Sequence, residues 1–167
     1  MTRIIVAFAG TAILCCLDIA RTRPVAANFQ SHNQKEIPQS CPVTKPPQPP
    51  FVPPAPYPSD HQVWIGSAKL WTNIAKDGIW RGSSQKVFWW SEGYDWRIEN
   101  PPKLKITGKR LDEPAPRLST DRANAGWTND KDHAFMVDAF VVPTSGCWKI
   151  SGHYKDRELS YVVWVAK

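Results

Sequence analysis

Cysteine and methionine are scarce in this chain, and the chain is too short for the large enzyme folds. Its 167 residues include four cysteines and two methionines. Once a targeting segment is subtracted, this length leaves room for one domain, which excludes a TIM barrel or a two-domain enzyme. A hydrophobic content of 42% and a charged content of 22% also exclude a wholly disordered or collagen-like protein.

Sequence motifs for catalysis and metal binding are also missing. The chain has no Gly-x-Ser-x-Gly nucleophile elbow, and its four histidines lack the spacings that place ligands around zinc. We therefore predict no catalytic residue, no metal site and no cofactor. A small glycosidase-like hydrolase remains an alternative. Such chemistry needs two carboxyl groups about 5–10 Å apart, and the sequence does not show their distance. Its candidate carboxylates are Glu92, Asp95 and Glu99.

Long runs of like charge are absent as well. The formal net charge is +6, but basic and acidic residues alternate in sign, as they do between Lys103 and Glu113. A nucleic-acid-binding protein needs a concentrated basic face. We therefore predict an ordinary solvated surface and no nucleic-acid partner.

The N-terminal apolar run is too short to be a typical membrane span. Ile4–Leu17 comprises 14 apolar or small residues, follows Arg3 and ends at Asp18. A membrane-spanning helix needs about 20 such residues, whereas the core of a secretory signal needs about 7–15. We therefore predict a signal peptide over residues 1–27 that is cleaved after Ala27.

Two other fates of this segment remain open. One is a lipid anchor on Cys15 or Cys16, and the other is an uncleaved helical anchor. In all three cases the protein is exported to the periplasm, the cell envelope or the medium, and any membrane contact is through the N-terminus. Cleavage would lower the net charge from +6 to +4, since residues 1–27 hold three arginines and one aspartate.

Export also changes the expectation for cysteine. The signal peptide removes two of the four cysteines, and Cys41 and Cys147 remain. In an oxidising compartment two cysteines most simply form one disulfide bond. We therefore predict a Cys41–Cys147 disulfide, with two unpaired thiols as the alternative.

Proline is abundant in one segment. Ten prolines lie between Pro38 and Pro58, where each one fixes φ and removes a backbone donor, so that extended polyproline II structure is expected. Residues 28–60 are therefore predicted to be a linker, which is either a free stalk or a strap along the domain. Pro46-Pro47-Gln48-Pro49 is a PxxP pattern, although the SH3-type partners of such patterns are missing outside the cytoplasm.

Residues 61–167 are predicted to form one all-β domain. Turn residues recur every 8–15 positions between short runs rich in Val, Ile, Trp, Tyr and Phe, which is typical of a β-sandwich or barrel. The clearest predicted strands are 135–142, 147–154 and 159–165, and a further strand begins at Pro101-Pro102. Strands of uncertain register are expected within 63–74 and 87–98.

The C-terminal sequence resembles a family of uncharacterised exported bacterial proteins. The resemblance lies in PTSGCWKISG, residues 143–152, and ELSYVVWV, residues 158–165. Cys41–Thr44, Leu70-Trp71 and Thr107–Asp112 are similar to the same family. The resemblance implies an exported protein with an immunoglobulin-like β fold and supplies no activity. Lys149 departs from the family pattern, in which an acidic residue is more frequent.

Tryptophan is the most unusual feature, with nine residues between Trp64 and Trp164. Adjacent side chains in a strand face opposite sides, so at most one of Trp89 and Trp90 is expected in the core. We predict an exposed aromatic surface that binds a glycan or an envelope protein. Its residues are Trp89, Trp90, Tyr94, Trp96 and Arg97. Packing of these rings beneath the proline strap is the alternative.

The predicted function is that of a non-enzymatic binding or structural module, exported or held in the cell envelope. The alternatives are the hydrolase named above and a structural domain without a specific ligand.

Overall fold

The computed structural model describes residues 37–55, 63–127 and 133–167. The predicted signal peptide lies outside the described residues, and so do both ends of the predicted linker, 28–36 and 56–60. Ten strands and no helix occur in the part of the chain that the structure describes. Among these residues, accordingly, no helix has the length and apolarity to cross a membrane.

The strands are short and follow one another with few long connections. In chain order they are β1 (Val63–Ser67), β2 (Leu70–Ile74), β3 (Ile79–Arg81), β4 (Ser84–Trp90), β5 (Lys105–Arg110), β6 (Leu118–Thr120), β7 (Asn124–Gly126), β8 (Phe135–Val141), β9 (Gly146–Tyr154) and β10 (Arg157–Ala166).

These strands form two five-stranded sheets. The first sheet has the order β1-β2-β4-β8-β7, and the second has the order β3-β10-β9-β5-β6. Every neighbouring pair is antiparallel except β3 and β10, which run parallel. The all-β prediction is therefore confirmed, and the two sheets have the arrangement of a β-sandwich.

The core lies between the two sheets. Alternate residues of β9 and β10 point into it, which places Trp148 and Tyr161 among the buried side chains. Trp89 of β4 meets them from the first sheet, with its ring 6.0 Å from that of Tyr161. Gly152 makes room for this indole, because a Cβ atom there would lie only 2.5 Å from the ring. One hydrogen bond also joins the sheets inside the core, from the Thr120 hydroxyl to Asp138.

The predicted strands agree well with the structure at the C-terminus and less well before it. Segments 135–142, 147–154 and 159–165 correspond to β8, β9 and β10. The 63–74 segment is a hairpin of β1 and β2. The 87–98 segment contains only the end of β4, since the chain turns after Trp90 and residues 91–98 form loops.

The proline-rich segment lies on the domain as a strap over its described residues, 37–55. Cys41 is bonded to Cys147 with their Cα atoms 5.6 Å apart, which confirms the predicted disulfide. The backbone N–H of Thr44 donates to the Val162 carbonyl at 2.9 Å, and the Val162 N–H donates to the Thr44 hydroxyl at 2.8 Å. Val43 packs against Gly78, whose φ of +72° and missing Cβ allow this approach. The described part of the segment is therefore a strap and not a free stalk.

Asp112 ties the chain that follows β5 to the start of β9. Its Oδ1 atom accepts hydrogen bonds from Arg110 Nε at 2.8 Å and from the Cys147 backbone N–H at 3.1 Å. The Arg110 hydrogen bond, helped by that from Cys147, holds the pKa of Asp112 below its usual value.

Protonation of Asp112 is expected to contribute to acid destabilisation. Because its pKa is lowered in the folded state, its stabilising contribution is complete above the unfolded value, about 3.9, and is lost as the pH falls through the folded value. Asp112→Asn should therefore be less stable than wild type at pH 7, and the difference should disappear as the pH falls below the folded-state pKa of Asp112. Urea unfolding across this pH range measures it, and a pH-independent difference would contradict the assignment.

Candidate functional site

Three of the five residues of the predicted aromatic surface are buried. Trp89 is 0% exposed, Trp90 is 5% exposed and Tyr94 is 7% exposed. Burial, together with the charges of Glu99 and Asp95, raises the pKa of the Tyr94 hydroxyl to about 12. The prediction that these three rings present a binding surface is therefore wrong.

Both adjacent tryptophans are buried because both faces of the first sheet are covered. Trp89 points into the core, whereas Trp90 points to the outer face and packs edge-on against Trp64 with ring centroids 5.0 Å apart. Phe88 and Phe135 complete this outer cluster, and Phe51 of the strap packs on it. At most one of the pair was expected in the core, and only Trp89 lies between the sheets, but the outer side that holds Trp90 is covered as well. The contact of Phe51 with the cluster that contains Trp90 agrees with the alternative interpretation, packing beneath the strap.

Trp96 and Arg97 remain accessible on the loop that follows β4. Trp96 is half-buried, and its ring meets that of Trp127 edge-on at 5.1 Å. The Arg97 guanidinium lies 5.2 Å from the Trp96 ring centroid. Trp127 is 40% exposed. The accessible aromatic group is therefore a small cation–π cluster of Trp96, Arg97 and Trp127, smaller than the surface that was predicted.

Two of the candidate hydrolase carboxylates are occupied in shaping this loop. The Asp95 carboxylate accepts a hydrogen bond from the Arg97 backbone N–H at 2.9 Å. The Glu99 carboxylate accepts one from the Lys103 backbone N–H at 2.7 Å and one from the Tyr154 hydroxyl at 3.3 Å. Glu92 is exposed and follows the end of β4. Asp95 and Glu99 thus have a structural role, because their hydrogen bonds hold the loop in place.

The outer face of the second sheet carries a row of hydroxyl groups. Thr107 of β5 lies opposite Ser119 of β6 on one side and Ser151 of β9 on the other, and Ser151 lies opposite Ser160 of β10. With strands spaced about 4.8 Å apart, the row spans about 14 Å across four strands. The Ser151 and Ser160 hydroxyl oxygens are 2.7 Å apart, and Thr107 Oγ1 is 3.2 Å from His153 Nε2. We call these four residues the hydroxyl row.

Positive side chains border the hydroxyl row. Lys109 and Lys149 are cross-strand neighbours on one side of it, and Lys105 lies opposite His153 on the other. Arg117 precedes β6 and lines the same depression as the three lysines, a hollow of about 440 Å³. We call the hydroxyl row with these four cations, Lys105, Lys109, Arg117 and Lys149, the basic face.

One carboxylate lies at the edge of the basic face. Glu158 accepts a hydrogen bond from the Ser160 hydroxyl at 3.1 Å, and its Oε2 atom is 3.7 Å from His153 Nδ1. The hydrogen bond from Ser160, followed by the charges of His153 and Lys149, lowers the pKa of Glu158. Glu158 stays ionised and neutralises only the β10 edge of a face whose β5 and β6 side is cationic.

Sequence reasoning missed the basic face. Its signal is the alternation of polar residues in β5 and β9. Lys105, Thr107 and Lys109 share one side of β5, and Lys149, Ser151 and His153 share one side of β9. That pattern predicts polar faces but does not say which strands are neighbours. The sequence predicted only a solvated surface, and pairing of β5, β6 and β9 brings four cations together on this sheet.

Metal ligands do not cluster in the described part of the chain. No group of three or more His, Cys, Asp or Glu residues among those described is arranged to hold a metal ion. Comparison with protein-family models, curated proteins and solved structures produced no match. The family resemblance of the C-terminal motif, and the immunoglobulin-like fold it implies, therefore stay predictions.

Proposed function

We propose that this chain is an exported, non-enzymatic binding module that holds an anionic ligand on its basic face. The observation that carries the proposal is the convergence of four cations, Lys105, Lys109, Arg117 and Lys149, on one depression. Three members of the hydroxyl row, Thr107, Ser119 and Ser151, line the same depression. The immunoglobulin-like form of the sandwich and the signal peptide belong to the same proposal. The disulfide supports export, since such bonds persist in oxidising compartments.

The chemistry of the face defines the class of ligand. Lysine ammonium groups and the arginine guanidinium form charge-assisted hydrogen bonds with phosphate, sulfate or carboxylate oxygens. The accessible hydroxyl groups between them, those of Thr107 and Ser119, can donate to the same oxygens or accept from a ligand hydroxyl. The shared chemistry is therefore an acidic group carried on a polar scaffold, as in anionic components of the envelope or the surrounding medium.

A repeated or clustered ligand fits this face better than a single ion. Exposed charge pairs contribute only about 0–1 kcal/mol each, so one acidic group would bind weakly. Several groups on one scaffold engage several cations at once, and the later contacts then form at high effective concentration. The open depression and the width of the hydroxyl row suit such an extended partner.

Paired substitution of two lysines tests this proposal. Lys109→Ala/Lys149→Ala should weaken binding of inorganic polyphosphate about 30-fold, because each of the two lysines near an anionic ligand contributes about 1 kcal/mol. Titration calorimetry at low and at moderate salt measures the change, and the salt dependence should become less steep in the variant.

A charge-matched variant is the control for this experiment. Lys76→Ala/Lys86→Ala removes two exposed lysines outside the basic face. Lys86 lies in β4 of the first sheet, and Lys76 lies in the turn before β3, at the edge of the second sheet opposite β6. This control should retain wild-type affinity apart from a small effect of net charge. Equal losses in both variants, or no binding of polyphosphate by wild type, would overturn the proposal. Binding that survives loss of both lysines but is lost in Arg97→Ala would instead favour the small cluster around Trp96.

A further inference from the structure

We propose that the anionic ligand is the surface of an acidic lipid bilayer, which the basic face contacts together with an apolar protrusion around Ile98. This inference rests on the proposed function, since it names the class of partner that the basic face takes. The residues that distinguish a lipid surface from a soluble polyanion lie beside the basic face and not within it.

A second groove adjoins the basic face at Lys105. It has a volume of about 730 Å³, and it is lined by Ile98, Pro101, Pro102, Lys103, Lys105 and Asp121, among others. Ile98 is 86% exposed, the highest value among the exposed large hydrophobic side chains. A wholly polar ligand would leave the Ile98 side chain in water. A bilayer surface supplies an apolar layer beneath its charged headgroups, in which this side chain can be buried.

The loop structure holds Ile98 in this exposed position. The backbone N–H groups of Ile98 and Glu99 both donate to the Asp95 carbonyl, at 3.1 and 2.9 Å. The Glu99 side chain then fixes the other end of the loop through the Lys103 N–H and the Tyr154 hydroxyl. Ile98 therefore projects from a closed, hydrogen-bonded turn. Because the loop backbone is already ordered, inserting Ile98 into a bilayer costs little conformational entropy.

The neighbouring side chains suit the interface between water and lipid. Trp96 and Trp127 form the edge-to-face pair described above, and Arg97 stacks on Trp96. Tryptophan favours the headgroup level of a bilayer because its ring is apolar and its N–H is polar. Arginine and lysine beside it are attracted to acidic headgroups. The 95–99 loop with Trp127 thus combines apolar and cationic groups in one protrusion.

The acidic residues of this region do not cancel its charge. Asp95 pairs with Arg97 at 3.8 Å, Asp121 lies in the groove near Lys105, and Glu99 and Glu158 are the other two carboxylates. Against these four stand six cations, namely Arg97, Lys103 and the four cations of the basic face, so a net positive charge remains. The charge is therefore complementary to an acidic membrane surface, and the exposed Ile98 is complementary to its acyl layer.

Fluorescence quenching by brominated lipids tests contact between the protrusion and the bilayer. Seven of the nine tryptophans are buried, while Trp96 and Trp127 are accessible. No tryptophan precedes Trp64, so an N-terminal anchor would not itself cause quenching. The full chain is mixed with vesicles of phosphatidylcholine and brominated phosphatidylglycerol, and with brominated phosphatidylcholine alone. Quenching is expected with the acidic vesicles and should be much weaker with the neutral ones.

Two single substitutions identify the residue responsible. Ile98→Ser should weaken the acidic-vesicle interaction roughly fivefold to tenfold, as expected for loss of a partly buried isoleucine side chain, and leave polyphosphate binding unchanged. Val141→Ser is the matched control, because Val141 is 63% exposed at the end of β8 in the first sheet, and it should change neither property.

The outcomes separate this inference from the proposed function. Wild-type quenching that Ile98→Ser leaves unchanged, or no quenching on acidic vesicles, overturns the lipid inference. If polyphosphate still binds through Lys109 and Lys149 in that case, the proposed function stands and the ligand is a soluble polyanion. Failure of wild type to bind polyphosphate, as described above, overturns the proposed function itself.

Discussion

Loss of the Cys41–Cys147 disulfide is expected to lower the free energy of unfolding by about 2–5 kcal/mol. The bond closes a loop with a sequence separation of 106 residues, so it restricts the unfolded chain strongly. It also pins the strap, whose other described attachments are the two Thr44–Val162 hydrogen bonds and apolar contacts such as that of Val43. Cys41→Ser/Cys147→Ser should therefore unfold at clearly lower urea concentration than oxidised wild type.

The reductant response provides the control for this experiment. Reduced wild type should unfold close to the double variant, and the double variant should not respond to reductant. The strap should also become sensitive to protease near Cys41 before the rest of the domain unfolds, because its anchor is gone while the two sheets persist. Equal stability of reduced and oxidised wild type would contradict a stabilising role for the bond.

Truncation of Trp89 is expected to destabilise the domain by about 3–5 kcal/mol. Its indole is 0% exposed, lies against the backbone of Gly152 and meets the ring of Tyr161. Trp89→Ala would leave a large cavity between two sheets whose strands cannot close it without breaking their pairing. Thermal or urea unfolding followed by circular dichroism measures the loss.

Trp127→Ala is the matched comparison for Trp89→Ala. Both variants remove one indole, but Trp127 is 40% exposed, so its truncation should cost much less, at about 1 kcal/mol or below. Similar losses in the two variants would mean that Trp89 is not the core residue described here. A loss of binding in Trp89→Ala would report unfolding, whereas Trp96, Arg97 and Trp127 can be tested for direct contact.

The strands at the C-terminus could be predicted because their sequence carries the signal locally. In β10 the alternating residues Leu159, Tyr161, Val163 and Val165 indicate one buried face, and Lys155-Asp156 supplies the turn before it. The pairing of Cys41 with Cys147 followed from compartment and number, since no other cysteine remains after residue 27. These inferences needed no knowledge of which strands are neighbours.

The aromatic run could not be interpreted correctly from the sequence, because its exposure depends on distant segments. Alternation correctly predicts that Trp89 and Trp90 face opposite sides of β4. Whether the outer side meets water depends on Trp64, Phe135 and strap residue Phe51, which come from three other parts of the chain. Burial of Trp90 is thus a property of the assembled layers.

Local patterning by itself determined the all-β class, the C-terminal strands and the polar alternation within them. Only the tertiary structure decided which faces are covered and which charges are neighbours. The basic face illustrates the physical reason. Lys109, Arg117 and Lys149 are separated in sequence by oppositely charged residues, but backbone hydrogen bonding sets β5 beside both β6 and β9. Sheet register, and not sequence proximity, therefore creates the cationic surface on which the proposed function depends.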